Sequence, residues 1–308
     1  MQIHPDLQST YPRITAEWRS AATSTLLEYS TKIPPITGTF CTTKEKLHPH
    51  SRLYGIELEV VPSAALYKTH SLIPRSHVFS DVVHKVYVSM PGAILCKKDS
   101  SVSGGFEIVS APATLAAHRI MWTRFFYENG SQENWRLLLK NHKHPTTGIA
   151  RSLSSYTQLK CGMHIHCALA GFDGTSSIVK LWRFLNDIRL DEYFIRIAGR
   201  KMNTYCARQQ NIGFSNMFNT PRHSMLNLTN TETAEIRIFQ GNTSPLGFMK
   251  NLDFCDALIT FCNNTSLRGV NGHAFLAFVR ENPSSWPFFN KWLHRHHHYL
   301  SGAANKAM

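Results

Sequence analysis

The chain has 308 residues, 43% of them hydrophobic, and a formal net charge of +13. This length is enough for one large core or two ordinary ones, and the charge implies an anionic partner such as nucleotide phosphate, nucleic acid or an acidic polymer. Lys and Arg are scattered, so a basic surface without a polymer groove is an equal alternative. The seven cysteines contain no C-x-x-C pair, so neither a zinc ribbon nor a disulfide framework is indicated. No apolar run is long enough for a membrane span, and we expect a cytoplasmic protein without a membrane partner.

The first 50 residues contain five prolines and one helix-compatible stretch, Thr15–Tyr29, whose apolar residues are sparse. We therefore predict an N-terminal extension at 1–50, a catalytic domain at 51–270 and an aromatic and His-rich C-terminal segment at 271–308. Within that last segment, His294–His298 is interpreted as a solvated tail.

The first informative stretch is Tyr54–Pro62, an apolar and β-branched run that predicts a strand. Residues i and i+2 of a strand point to the same face, so Glu57 and Glu59 would project side by side. Two like charges in that arrangement repel each other. They are tolerated on an exposed edge, where water screens them, or where a cation lies between them.

Residues 97–112 predict a hairpin, with a Ser- and Gly-rich turn and a returning strand at Phe106–Val109 that ends before Pro112. Glu107 is the one acid in this apolar strand, and its burial is costly unless a cation or a donor satisfies it. The pattern from Thr114 to Leu139 then predicts one helix, with Thr114 as its cap.

The segment Lys160–Leu169 predicts a strand with His164 and His166 on one face. This spacing is one way to direct two imidazoles at one ion or phosphate, although ordinary structural histidines have the same pattern. The segment Ser176–Arg200 predicts a long amphipathic helix.

The last motif, Thr233–Gly241, predicts a strand on which Glu235 and Arg237 share a face. The usual meaning of such a pair is a structural ion pair. Beside an acidic metal site, the acid could instead bind metal while the guanidinium holds a phosphate with two hydrogen bonds. A further amphipathic helix is predicted from Met249 to Asn263.

Strands of this kind predict a sheet with an apolar back covered by helices and a charged front. Acids on strands, together with an imidazole, can hold two or more Mg²⁺ ions. Arg237, with Arg208 or Arg222, could then bind the phosphates that the metals bridge. The chemistry that needs this set is ATP-dependent activation of a carboxylate.

Several motifs, in this order, resemble the amidoligase family of glutamine synthetase-like carboxylate–amine ligases: Tyr54-Gly55-Ile56-Glu57-Leu58-Glu59, Gly105-Phe106-Glu107-Ile108-Val109-Ser110-Ala111-Pro112, Cys161-Gly162-Met163-His164-Ile165-His166, Tyr205-Cys206 and Glu235-Ile236-Arg237-Ile238-Phe239. The resemblance covers about residues 50 to 262. It implies an α+β fold with a curved antiparallel sheet backed by helices and an active site on the open sheet face. It also implies ATP and Mg²⁺ as cofactors, with Mn²⁺ as a substitute, and an amide or peptide-like product formed through an acyl phosphate.

The site residues expected from the pattern and the resemblance fall into three groups. The metal ligands are Glu57, Glu59, Glu107, His164 and Glu235. The nucleotide- and phosphate-binding residues are His164, His166, Arg222, Asn227 and Arg237. The catalytic residues are Glu59, Arg208 and Arg237.

The sequence departs from the family in three respects. Only Asp99 offers an extra acid near Glu107, no residue matches an ammonia-activating acid, and no P-loop is present. The sequence identifies neither the acid and amine substrates nor the oligomeric state. Related ligases often complete their sites between subunits, so the resemblance is compatible with a homo-oligomer.

Three alternatives stay open. The basic stretch Lys140–Arg151 favours an acceptor carried on a nucleic acid or a protein side chain. A basic nucleic-acid-binding or nucleic-acid-modifying protein on the same fold is the second. The third is a metallohydrolase that uses His164 and His166, although no H-E-x-x-H motif is present.

Overall fold

A computed structural model describes residues 6–9, 26, 39–140, 145–155, 161–204, 206–209, 216–219 and 221–305. The chain divides into two compact units. The first unit takes its residues from 1–47, 53–163 and 241–245, and the second from 48–52, 164–240 and 246–308. The predicted helix Thr15–Tyr29, apart from Leu26, and the predicted motif residue Tyr205 lie outside the described residues. The predicted boundaries at 50 and 270 stay a prediction.

Antiparallel strands form the centre of the first unit. They are β1 (Leu7–Ser9), β2 (Phe40–Thr42), β3 (Tyr54–Pro62), β4 (Ile94–Lys97), β5 (Phe106–Ser110) and β6 (Leu153–Ser154). The strand order is β4-β5-β3, β6 pairs with the end of β3, and β1 and β2 form a separate ribbon. The strands predicted at 54–62 and 106–109 are therefore confirmed.

The helices of the first unit are α1 (Ala64–Thr69), α2 (Arg75–Ser89), α3 (Leu115–Met121), α4 (Thr123–Phe126) and α5 (Gln132–Lys140). The α2 helix backs the sheet, because the Phe79 ring meets the Phe106 ring of β5 edge to face with centroids 5.6 Å apart. The Tyr87 hydroxyl also accepts a hydrogen bond of 2.9 Å from the backbone N–H of Cys96 on β4. Helices on antiparallel strands agree with the predicted α+β class at this coarse level.

The single helix predicted from Thr114 to Leu139 is wrong, because the segment forms α3, α4 and α5 in succession. The Thr114 hydroxyl does cap α3, accepting from the Ala117 N–H at 3.2 Å. The Asn129-Gly130 dipeptide lies in the turn before α5, and this pair favours turn conformations over helix.

The turn between β4 and β5 has a defined geometry that fits the pairing of these two strands. Gly104 adopts a positive φ of 71°, a conformation that L side chains rarely take. At Gly105 a Cβ would lie 2.3 Å from the backbone oxygen of Val60, so no larger residue fits there. The Asp99 carboxylate accepts a hydrogen bond of 2.7 Å from the Ser101 N–H, which fixes the start of the turn.

The second unit contains β8 (Leu226–Asn227), β9 (Thr233–Gln240) and most of β7 (Gly162–Ala168). Strand β9 has β7 and β8 as its neighbours, and it pairs with β8 in antiparallel fashion. The helices are α6 (Thr175–Asn186), α7 (Asp191–Ala198), α8 (Pro245–Asn264), α9 (Gly272–Glu281) and α10 (Pro287–Asn305). Both predicted strands and the helix predicted at 249–263 are confirmed.

Two predictions for the second unit are wrong. The helix predicted from Ser176 to Arg200 breaks at Asp187, whose carboxylate accepts from the Arg189 N–H at 3.0 Å and starts a 3₁₀ turn. Ile188, an apolar residue within the predicted amphipathic helix, is 64% exposed. The interpretation of His294–His298 as a tail is also wrong, because these residues belong to α10, where the His296 ring stacks on Trp292. His294 and Arg295 are nevertheless exposed, as a solvated segment requires.

Within the described residues, no helix combines the length and the apolar character needed to cross a bilayer.

A buried histidine, His118, connects α3 to β3. His118 is fully buried, its Nε2 lies 2.7 Å from the Tyr54 carbonyl oxygen, and its Nδ1 accepts from the Trp122 indole N–H at 3.3 Å. The indole can donate only to an unprotonated Nδ1, so this arrangement fits neutral imidazole with the proton on Nε2. Burial lowers the pKa of His118 to about 4, and the bond to Tyr54 opposes that shift.

As the pH falls, His118 of the unfolded chain therefore takes up a proton near its ordinary pKa of 6.5, whereas His118 of the folded chain does so only near pH 4. We predict that His118 makes the free energy of unfolding fall by about 2 to 3 kcal/mol between pH 7 and pH 4.5. Urea unfolding of His118→Gln should lack this loss. His77→Gln, an exposed change on α2, should keep it, and an equal pH response in all three proteins would contradict the assignment.

Candidate functional site

Three carboxylates of the first unit lie together and are called here the acid cluster: Glu59, Asp99 and Glu107. Each contributes an oxygen, and these oxygens all lie within 4.8 Å of one another. Glu59 on β3 is the direct antiparallel partner of Glu107 on β5, which places their side chains next to each other. Asp99 enters from the turn between β4 and β5. The hairpin and the strand register therefore assemble the cluster.

Alternation along β3 sets which side chains enter this region. Ile56, Leu58 and Val60 are fully buried on the other face of the strand. Glu57 is half-buried, whereas Glu59 is only 6% exposed and its Oε2 accepts a hydrogen bond from the Gly162 N–H. Exposure at a sheet edge was one explanation for placing Glu57 and Glu59 side by side. The burial of Glu59 excludes this explanation for that residue.

The charge balance at Glu107 is unfavourable in the protein alone. Its side chain is 4% exposed, and burial raises its pKa to about 9, with further contributions from the charges of Glu57, Asp99 and Glu59. Lys97, opposite Glu107 on β4, only partly opposes this rise. Glu107 therefore keeps its proton at neutral pH unless a positive charge enters the cluster.

The donor set fits a hard divalent cation. Mg²⁺ and Mn²⁺ prefer carboxylate oxygens, and the acid cluster offers them from three residues, with Glu57 as a fourth acid close enough to raise the pKa of Glu107. A cation at these oxygens would offset the repulsion that now keeps Glu107 protonated. The metal role predicted for Glu57, Glu59 and Glu107 remains a prediction with this support.

A second group in the second unit is called here the Glu235 cluster: His164, His166, Asn227, Glu235 and Arg237. Glu235 Oε1 forms an ion pair with Arg237 and lies 3.5 Å from His164 Nδ1 and 3.9 Å from His166 Nε2. Glu235 Oε2 accepts a hydrogen bond of 2.8 Å from the Asn227 amide. All of these side chains are buried except that of His166, which is 22% exposed.

Strand pairing explains the contact between Asn227 and Glu235, because these residues are direct partners on β8 and β9. The Asn227 Oδ1 also accepts from the Thr229 hydroxyl at 2.7 Å and from the Thr229 N–H at 3.1 Å, which fixes the amide so that its NH₂ group points to Glu235. Both oxygens of Glu235 thus have protein partners. The ion pair between Glu235 and Arg237, one of the two interpretations of the sequence, is present. Metal binding by Glu235 and phosphate binding by Arg237 and Asn227 stay predictions.

The remaining predicted residues lie elsewhere in the second unit. Arg208 forms an ion pair with Asp191 in the first turn of α7, and burial lowers the pKa of its guanidinium. Arg222 is exposed in the turn before β8. Their assignment to a phosphate clamp stays a prediction.

Besides Asp99, which the sequence offered only as an extra acid near Glu107, two contributors to the acid cluster were not predicted as site residues. Lys97 lies directly opposite Glu107, and the Gly162 N–H binds Glu59. The predicted hairpin contained the signal for Lys97, but its pairing depends on a turn geometry that the sequence pattern did not specify.

Comparisons with known proteins do not identify a family. No protein-family model matches the chain, and a search of curated proteins found no match.

We predict that Glu107→Gln stabilises the metal-free protein at pH 8. Above pH 4.5 the unfolded chain releases the Glu107 proton, whereas the folded chain keeps it until about pH 9. The free energy of unfolding therefore falls as the pH rises from 4.5 toward 9, and glutamine, which does not titrate, removes this fall. Thermal unfolding in EDTA should show a midpoint higher by roughly 5 °C or more in the variant.

Magnesium or manganese should reverse this order, because either ion stabilises the wild type and not Glu107→Gln. Glu133→Gln serves as the control, since Glu133 is an exposed acid on α5 of the same unit. An equal response of all three proteins to the metal would contradict a site at the acid cluster.

Proposed function

We propose that the protein is an ATP- and Mg²⁺-dependent carboxylate–amine ligase of the amidoligase type. The observation that carries this proposal is the acid cluster, in which two buried glutamates and Asp99 converge without enough positive charge from the protein. The motif order supports it. The finer architecture, a glutamine synthetase-like curved sheet with its active site on the open face, is part of the same proposal, as is a cytoplasmic location.

The reaction has two steps. A carboxylate oxygen of the acid substrate attacks the γ-phosphorus of ATP, the bond to the β-phosphate oxygen breaks, and ADP leaves. The amine then attacks the carbonyl carbon of the acyl phosphate, and inorganic phosphate leaves as the amide forms. The proton that the amine loses in that step is taken up by the released phosphate. The sum is carboxylate plus amine plus ATP giving amide, ADP and phosphate.

Glu59, Glu107 and Asp99, with Glu57, would hold the cation. When bound, Mg²⁺ or Mn²⁺ supplies positive charge to the phosphate oxygens during transfer. The chain contributes to this by keeping the carboxylates fixed: the Gly162 N–H holds Glu59, and the hairpin register holds Glu107 beside it. Because the fold itself fixes both carboxylates, little reorganisation is needed at the reaction step.

Arg237 is proposed to bind phosphate oxygens of the nucleotide. Its guanidinium has five donors, and the pair with Glu235 orients it in a buried setting where charge is worth more than in water. The Asn227 bond to Glu235 keeps that carboxylate in place. His164 and His166 would bind a second cation or the phosphates, and the acceptor carrying the amine or acid could be a small molecule, a nucleic acid or a protein.

We predict that Glu59→Gln lowers ADP release by roughly 100-fold or more, because it removes a cation ligand while keeping the shape and the oxygen that accepts from Gly162. The assay contains Mg-ATP with amino acids, polyamines and nucleic acid supplied in separate reactions. Glu133→Gln should keep wild-type turnover.

The acceptor class that raises ADP release identifies the substrate class. Unchanged ADP release by Glu59→Gln, with a folded variant shown by circular dichroism, would overturn the proposal.

One observation favours a second candidate function. The imidazoles of His164 and His166 each approach the Glu235 carboxylate, and these residue types occur among the ligands of transition-metal sites. A metallohydrolase would use such a set with zinc. Glu235 is already neutralised by Arg237, which weakens this alternative. Hydrolysis that requires zinc and proceeds without ATP would favour it over the ligase.

A further inference from the structure

A cleft of about 850 Å³ lies in the first unit and has no lining residue in common with the acid cluster. Its walls are the end of α2, helix α4 with the turn that follows it, and the segment from Thr147 to Ser152. No predicted site residue lines it.

The charges in this cleft are mostly positive. Lys85, Arg124 and Arg151 line it, with Glu128 as the one carboxylate among its lining residues. Lys85 pairs with Asp81 at 2.7 Å, but both are more than half exposed, so that pair contributes little. Within the part of the chain that the structure describes, the guanidinium groups of Arg124 and Arg151 have no hydrogen-bond or ion-pair partner. Both are available to a ligand.

The walls of the cleft are held in place by the backbone. The N–H groups of Thr147 and Gly148 both donate to the Phe126 carbonyl, at 3.0 and 2.8 Å, and so join the 147–152 segment to the end of α4. At Gly148 a Cβ would lie 2.6 Å from the Phe125 oxygen, so the close approach requires glycine. Arg124 and Arg151 are thus presented by segments that already contact each other.

The chemistry of the lining selects the class of ligand. Two guanidinium groups without a partner among the described residues match phosphate oxygens, and the side chains of Asn129, Thr147 and Ser152 can bond to hydroxyl groups beside the phosphate. None of the cleft's described lining residues is Phe, Tyr or Trp, so the cleft lacks a platform on which bases of a single strand would stack. Its volume lies within the usual range for small-molecule sites, roughly 300–1,000 Å³.

We propose that this cleft is a binding site for a small hydroxylated phosphate ester, held by Arg124 and Arg151. The inference does not rest on the proposed ligase function, because it uses neither the acid cluster nor the Glu235 cluster.

Isothermal titration calorimetry with ribose 5-phosphate, inorganic phosphate and a single-stranded oligo(U) tests the proposal. The sugar phosphate should bind, and Arg124→Gln and Arg151→Gln should each weaken it by roughly 10- to 100-fold, the usual effect of one charge-assisted hydrogen bond. Both side chains are exposed, so the variants should keep the wild-type unfolding temperature.

Two controls separate this site from general charge effects. Arg136→Gln makes the same charge change on α5, where the side chain is 75% exposed, and should leave binding of the sugar phosphate unchanged. Glu107→Gln should also leave it unchanged, which keeps the result independent of the acid cluster. Absence of binding by both phosphate probes would overturn the proposal. An equal loss of ribose 5-phosphate binding in Arg136→Gln would also overturn it. So would binding of oligo(U) that depends on Arg124 and is tighter than binding of ribose 5-phosphate.

Discussion

Repulsion among buried carboxylates is the constraint on which the candidate site depends. Strand alternation directs Glu59 away from the fully buried Ile56, Leu58 and Val60, and antiparallel register places Glu107 beside it. Neither position is exposed enough for water to screen the charges, and Lys97 supplies only partial compensation. The folded chain therefore needs either a proton or a cation at this point. A site that requires an added charge is a basis for metal-dependent chemistry.

Glu235 of the second unit provides a useful contrast. It is as buried as Glu107, yet Arg237 pairs with one of its oxygens and Asn227 donates to the other. The protein itself satisfies this carboxylate, so its burial alone does not call for a cation. The same residue type on similar strands thus has two electrostatic settings, and this difference is why the acid cluster, rather than the Glu235 cluster, carries the functional proposal.

The sequence predicted strands better than helices and contacts. Alternation of apolar and charged residues was enough to place β3, β5, β7 and β9 and to assign Glu57 and Glu59 to one face. Helix breaks were missed because they depend on local hydrogen bonds, as at Asp187, where the side chain competes with the helical backbone. Lys97 was missed for a related reason, since its position opposite Glu107 depends on the turn containing Gly104 and Gly105. The cleft with Arg124 was also beyond a pattern-based prediction, because its walls come from segments that are separate in sequence.

The most direct measurement of the central claim is a crystal structure of the full chain soaked in manganese chloride, with anomalous scattering recorded for the metal. We predict an anomalous peak within coordination distance of the Glu59 and Glu107 carboxylates, and its loss in crystals of Glu107→Gln. A well-diffracting wild-type crystal with no peak there, or with its only peak at the Glu235 cluster, would contradict the claim that the acid cluster binds the cation.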